Sequence, residues 1–302
     1  MGGADLHEQA VVCQALGLGD HVDVEYEDDG WDSRVYLVNR GEAVFKFPRS
    51  PQAKLQYRRE VRVLDALQTI DSPILVPRVE WRGTDLEWFG YRGIVGEQLS
   101  YRLSHLHAST KRSIGRSVGR FLRELHARRI DGLPVVSVDG EIAHYQEKYR
   151  LGLPALDVLT ASERAMMQAF FFDTLPNALR DLRGELRLTH GDLGPWNIIL
   201  TDDGEVGVID FGDVSYQDPS KDFSGFGDET IFEAALVAYG ADDWLRQKAW
   251  LRIKAFPILD IPFYLGKRDV TGIQVCLDLA RRLIIRGERS AARPVHNARP
   301  GT

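Results

Sequence analysis

The residues of this chain whose types and spacing could do chemistry are His190-Gly191-Asp192, Asn197 and Asp210-Phe211-Gly212. Asp192 stands five positions before Asn197, and Asn197 thirteen before Asp210. A carboxylate at the head of a loop can accept the proton of an attacking hydroxyl. An Asn carbonyl and a second carboxylate offer the hard oxygen donors that Mg2+ needs beside the β- and γ-phosphates of a nucleotide. Asp192 is therefore the candidate base, and Asn197 and Asp210 are the candidate metal ligands. Between the two ligands, Ile198-Ile199-Leu200 and Val206-Gly207-Val208-Ile209 flank a turn containing Asp203-Gly204. That pattern predicts a β-hairpin, which would return both oxygen donors to the same end of the paired strands.

Phosphoryl transfer also needs a cation on the nucleotide phosphates. Lys46, in the strand-like run Ala43-Val44-Phe45-Lys46-Phe47, is the candidate, and Glu60, fourteen residues later, is placed to pair with it. The segment from Tyr26 to Ser33, with Gly30 and Ser33, can fold over the phosphates through its backbone N–H groups, although it has no GxGxxG pattern. Tyr91 to Gly96, including Ile94 and Gly96, is the short stretch expected to present backbone groups to the base of ATP or GTP.

Several elements must position these groups. Val35–Val38 and Ala43–Phe47 read as a hairpin around Asn39-Arg40-Gly41-Glu42, the second strand stopped by Pro48. Leu55–Gln68 places Val61, Leu64 and Leu67 at helical spacing, and Arg78–Trp81 and Trp88–Tyr91 read as another strand pair. Beyond Gly96 the pattern turns helical, with Ile114, Val118, Phe121, Leu122 and Leu125 lining one face. Helices return at Phe232–Leu236, Trp244–Ala255 and Val275–Ile285. The expected architecture is bilobal α+β: a small β-rich N-terminal nucleotide lobe over 1–93, a hinge over 94–98, and a larger, mainly helical catalytic and substrate-binding lobe over 99–302.

The order Gly30, Lys46, Glu60, His190-Gly191-Asp192, Asn197, Asp210-Phe211-Gly212 and Asp218-Pro219-x-x-Asp222-Phe223 resembles the aminoglycoside phosphotransferases, most closely the branch acting on the 2″-hydroxyl. The resemblance covers nearly the whole chain. It implies a protein-kinase-like fold, Asp192 as catalytic base, Asn197 and Asp210 on the metal, Lys46 on the phosphates, and Asp222 as a structural anchor of the catalytic loop. Gly191 stands where protein kinases usually carry the Arg of His-Arg-Asp, and no Ala-Pro-Glu follows Gly212. Control by activation-loop phosphorylation and a protein substrate are thereby disfavoured.

Charge points to the acceptor. Between Asp202 and Asp243 there are twelve acidic side chains against one base, Lys221, although the whole chain carries only −6. A polycationic aminoglycoside needs carboxylates to steer and pair its ammonium groups, and Asp213, Asp228, Glu229 and Glu233 are the candidates. The expectation is a phosphotransferase that gives resistance to such an antibiotic. The alternatives are a kinase for a macrolide or an amino-sugar metabolite, or a nucleotide-binding pseudokinase that would have lost the base, a metal ligand or the lysine.

The remaining features exclude more than they suggest. The chain has 302 residues, 44% hydrophobic and 27% charged, the balance of a packed globular protein. Cys13 and Cys276 form no metal or disulfide pattern, and the expected setting is the cytoplasm, with no signal peptide, membrane or nucleic-acid partner. The arginines from Arg281 to Arg299 read as a solvated helix face and tail. Gly115-Arg116-Ser117-Val118-Gly119 matches the GxSxG of serine hydrolases, but its helical surroundings lack the strand such a nucleophile requires. His190 reads as a packed loop anchor; Trp244, Trp250 and Tyr264 could stack on sugar rings, but large aromatics in a helical lobe are more often core.

Overall fold

The computed structural model describes residues 5–17, 24–27, 33–69 and 72–288. In chain order the elements are α1 (Leu6–Leu16), β1 (Val24–Glu27), β2 (Ser33–Val38), β3 (Ala43–Pro48), α2 (Pro51–Leu67), β4 (Ile74–Leu75), β5 (Arg78–Arg82), β6 (Phe89–Arg92) and β7 (Glu97–Gln98). They continue as α3 (Leu99–Arg102), α4 (Ala108–His126), α5 (Val138–Leu156), α6 (Ala161–Ala169), α7 (Leu175–Arg180), β8 (Arg187–Thr189), β9 (Ile198–Leu200), β10 (Val206–Val208) and β11 (Ser215–Gln217). Three helices close the order: α8 (Glu229–Tyr239), α9 (Asp243–Lys267) and α10 (Val270–Ala280). The fold is mixed α+β, and the chain separates into two compact units. One comprises Met1–Leu99 with Trp196–Val214, the other Ser100–Pro195 with Ser215–Thr302.

In the first unit, five strands form an antiparallel sheet in the order β1-β2-β3-β6-β5. Strand β3 is buried on both faces, and the two-residue period of a strand sorts its side chains. Ala43, Phe45 and Phe47 join Val12 of α1 and Tyr36 in one apolar cluster. Val44 joins Tyr57 and Val61 of α2, with Phe89 and Tyr91, in another. Lys46 shares the parity of Val44, so it falls on the α2 side. Helix α2 starts where Ser50 accepts a hydrogen bond from Ala53 N at 3.2 Å and Pro51 takes the first turn, where no backbone donor is needed. A second sheet, β4-β10-β9-β7, is built around the Ile198–Val208 hairpin, whose turn closes through Gly204 N to Thr201 O at 3.0 Å.

The second unit is mainly helical, with the short pair β8 and β11. Its core gathers Ile142, Tyr149, Phe171, Ile258 and Leu277 from the helices between α5 and α10. Gly115 and Gly119, one turn apart on α4, face α8: a Cβ at Gly119 would lie 2.1 Å from Ala235 O and one at Gly115 2.5 Å from Ile231 O. The GxSxG sequence is thus a helix-packing surface. In the basic stretch, Arg281 pairs with Glu163 at 2.9 Å and Arg282 with Glu288 at 2.8 Å, while Arg289, Arg293 and Arg299 lie outside the described residues. Among the described residues, no helix is long and apolar enough to cross a membrane.

Because α4 and α8 meet backbone to backbone at Gly119, Gly119→Ala must push them apart. We expect a loss of about 1–3 kcal/mol, read as a lower thermal midpoint. An unchanged midpoint would contradict the close approach.

Candidate active site

The first unit brings three of the singled-out residues together. Lys46 Nζ lies 2.7 Å from Glu60 Oε1, 3.0 Å from Glu60 Oε2 and 3.0 Å from Asp210 Oδ1. The parity of β3 directs Lys46 toward α2, and Glu60 sits between the core residues Tyr57 and Val61 on that helix. Burial works against the Lys46 charge, but the Asp210 and Glu60 carboxylates outweigh it and hold the ammonium well above the ordinary lysine range. Glu60 has a side chain 2% exposed, whereas that of Asp210 is 53% exposed. The pair thus has a fixed inner partner and an accessible outer one.

Asp210 has φ +66°, in the left-handed region, which Asp tolerates better than most residues. The hairpin explains its place. Val208 pairs with Ile198, and Ile209 N donates to Asn197 O at 3.0 Å, so Asn197 and Asp210 lie at the same open end of the paired strands. Among the described residues, no group of three or more His, Cys, Asp or Glu could hold a metal ion. An Asn carbonyl beside an accessible carboxylate still fits magnesium, which takes one or two protein oxygens and completes its shell with phosphates and water.

Ile94 and Gly96 press on this hairpin. A Cβ at Gly207 would meet Ile94 Cδ1 at 2.6 Å, and one at Gly96 would meet Leu200 O at 2.5 Å. Ser33 opens β2 opposite Pro48, and its Oγ accepts a hydrogen bond from Tyr57 OH at 2.8 Å. Gly30 lies outside the described residues. Asp213, three residues beyond Asp210, is exposed.

Asp192 belongs to the second unit, in a loop held by backbone hydrogen bonds. Asp222 Oδ2 accepts from His190 N at 2.8 Å and Oδ1 from Gly191 N at 2.9 Å. Gly191 has φ +87°, which a side chain would strain. The loop also crosses Gly225 so closely that a Cβ there would lie 2.0 Å from Leu193 O. Asp222 is fully buried. Burial pushes its carboxyl up, but the hydrogen bond and charge of His126, the charge of His190 and the Gly191 N–H outweigh this and hold it below the ordinary range. His126 Nε2 is 3.0 Å from Asp222 Oδ2, and its Nδ1 is 3.0 Å from Tyr239 OH.

His126 is a positioning residue that sequence reading missed. Its place four residues beyond Leu122 on an apolar helix face was the available signal, because a buried imidazole needs polar partners. The candidate substrate carboxylates differ in how far they are engaged. Asp228 caps α8 through Thr230 N at 3.0 Å and pairs with Lys111 at 2.8 Å. Glu233 pairs with Arg246, and Glu229 is exposed in the first turn of α8.

The model of a phosphotransferase enzyme family, APH, matches residues 25–256. No curated protein matches the sequence. Among solved structures, the chain is similar to the GDP and kanamycin complex of APH(2″)-IIIa, with 22% identity, a TM-score of 0.75, and coverage of 94% of this chain and 100% of that one. It is similar to the streptomycin–ATP–APH(2″)-IIa ternary complex, with 22% identity, a TM-score of 0.65 and coverage of 92% and 97%. It is also similar to macrolide 2′-phosphotransferase MphH from Brachybacterium faecium, with 22% identity, a TM-score of 0.57 and coverage of 89% and 95%. At these identities the likeness is one of fold.

Asp222→Asn should cost about 3–5 kcal/mol at neutral pH, because two backbone donors and His126 would lose a charged acceptor. The pH sign follows from the lowered carboxyl. Its contribution is fully present above the unfolded value of about 3.9 and is lost as pH falls through the folded one. Urea midpoints measured from pH 7 to pH 2 should therefore fall more steeply for the wild type than for Asp222→Asn. Parallel curves would show that Asp222 is not held ionised.

Proposed function

The chain belongs to the phosphotransferase enzyme family, and from that membership we propose that it moves the γ-phosphoryl group of ATP or GTP onto a hydroxyl of a cationic aminoglycoside, giving resistance to it. The observation that carries this reading is the buried Lys46, held by Glu60 and joined to the half-exposed Asp210. A lysine anchored on one side and open toward an accessible carboxylate on the other suits the phosphates of a nucleotide.

Each residue then has a role. Lys46 binds the nucleotide phosphates and Glu60 keeps its ammonium in place. Ile94 and Gly96 offer backbone groups to the base, and Gly30 and Ser33 belong to the segment that covers the phosphates. Asn197 and Asp210 would hold magnesium, whose charge offsets that of the transferring group. Asp192 accepts the proton of the acceptor hydroxyl, and the Asp222 bonds to the two residues before it keep the loop in position.

Asp213, Asp228, Glu229 and Glu233 are the carboxylates proposed to meet the ammonium groups of the acceptor. Kanamycin and streptomycin in complexes of similar fold support a cationic acceptor. A second reading is a less charged acceptor, a macrolide or an amino sugar. It is favoured by the prior pairing of Asp228 with Lys111 and of Glu233 with Arg246, which reduces the negative charge left for a ligand.

Mass spectrometry of products after incubation with magnesium, ATP or GTP, and a panel of aminoglycosides, macrolides and amino sugars tests both readings. A phosphorylated aminoglycoside is expected, and a product only from the macrolides or amino sugars would establish the second reading instead. Asp192→Asn should lower turnover by about 10²–10⁴-fold while nucleotide binding stays nearly intact. Asp210→Asn should instead lose magnesium-dependent nucleotide affinity, measured by calorimetry. Turnover retained in both variants would overturn the site assignment.

A further inference from the structure

The second unit contains a cavity of about 260 Å³ that the proposed chemistry does not use, lined among others by Arg183, Glu185, Arg187, Asp218, Tyr239 and Trp244. It is slightly smaller than pockets that take drug-sized ligands, which suits a single-ring molecule. Its walls are built. Trp244 Nε1 donates to Asp181 Oδ2 at 3.0 Å, and Lys248 Nζ stands 4.7 Å from the centre of the Trp244 ring. Tyr239 OH is tied to His126.

The charges of the lining are nearly all spoken for. Glu185 pairs with Arg129, and Arg183 pairs with Asp181 at 3.3 Å. Asp218 pairs with Lys248 and accepts from Ser220 Oγ at 2.6 Å, and Asp242, also in the lining, caps α9 through Leu245 N at 2.8 Å. Arg187 is the exception. Its backbone pairs with Gln217 across β8 and β11, but among the described residues its half-buried guanidinium has neither an ion pair nor a side-chain hydrogen bond.

A half-buried guanidinium without a counter-charge is open to an anion, and its planar fork matches a carboxylate that can bond it twice. From the unpaired Arg187 at a cavity walled by Trp244 and Tyr239, we propose that this is a binding site for a small aromatic carboxylate. The carboxylate pairs with Arg187 and the ring lies among the aromatic side chains. The site also has a route to the catalytic loop. Arg187 begins β8, which leads directly into His190-Gly191-Asp192, and Asp218 in the cavity wall opens the Pro219–Phe223 turn that carries Asp222.

Titration of the folded protein with sodium benzoate, followed by the indole N–H resonance of Trp244, tests the proposal, with benzamide as the neutral control. The resonance is assigned by its loss in Trp244→Phe. Benzoate is expected to move it progressively to saturation and benzamide to leave it in place. Arg187→Gln should weaken benzoate binding at least about tenfold. Arg187→Lys keeps the charge without the fork, so it should bind more weakly than the wild type but better than Arg187→Gln, and it carries the test if Arg187→Gln fails to fold. No saturable shift with benzoate, an equal response to benzamide, or unchanged affinity in the Arg187 variants would overturn the proposal.

Discussion

The second unit depends on one ionised carboxylate that has no access to water. Asp222 is worth burying because each of its oxygens meets donors: His190 N and His126 on one, Gly191 N on the other. An unpaired carboxylate in that place would cost several kcal/mol, so the partners and the charge are needed together. The left-handed backbone of Gly191 follows from the same demand. With both N–H groups turned toward one carboxylate, the chain leaves β8 and leads into Asp192.

The turn that supplies Asp222 is itself fastened from the other end. Asp218, four residues earlier, caps the Pro219–Phe223 turn through Ser220 N at 2.9 Å and pairs with Lys248 of α9. One turn along α9, Arg252 donates to Ser220 Oγ at 2.7 Å and pairs with Glu141 of α5. Burial works against the Arg252 charge, yet Glu141, Tyr145 and Asp218 outweigh it and raise the group further. A chain of buried pairs therefore runs from α5 through α9 to the loop. Removing one member takes a charge partner from its neighbour, and the network ties the loop to the helical core.

Much of the fold could be read from local pattern because the relevant periods are short. The hairpin pattern over Val35–Phe47 and the helical spacing of Val61, Leu64 and Leu67 placed Lys46 and Glu60 on elements that the structure contains, and the Asp-Gly turn placed the hairpin of Asn197 and Asp210. Boundaries were less legible. The helix expected to begin at Trp244 runs from Asp243 to Lys267 through Pro257 and Pro262, because burial along α9 overrides the helix-breaking tendency of proline. The helices α5, α6 and α7 went unread, although Ser137 caps α5 and Thr160 with Glu163 forms a capping box at the start of α6. His126 and Arg252 were not legible either, since a polar residue on an apolar face gains meaning only when its partners, about a hundred positions away, are known.

The acidic stretch shows how a charge count along the chain differs from a charge field in space. Twelve carboxylates face one lysine between Asp202 and Asp243, yet the bases that answer them come from elsewhere in the sequence. Lys248 and Arg252 meet Asp218, His126 meets Asp222, Lys111 meets Asp228 and Arg246 meets Glu233. Backbone N–H groups at helix starts take further oxygens of Asp228 and Asp242. A good part of the local excess is therefore spent on folding, through caps and buried pairs. Asp213 and Glu229, by contrast, stand exposed, so what the stretch presents to solvent is smaller than its count along the sequence.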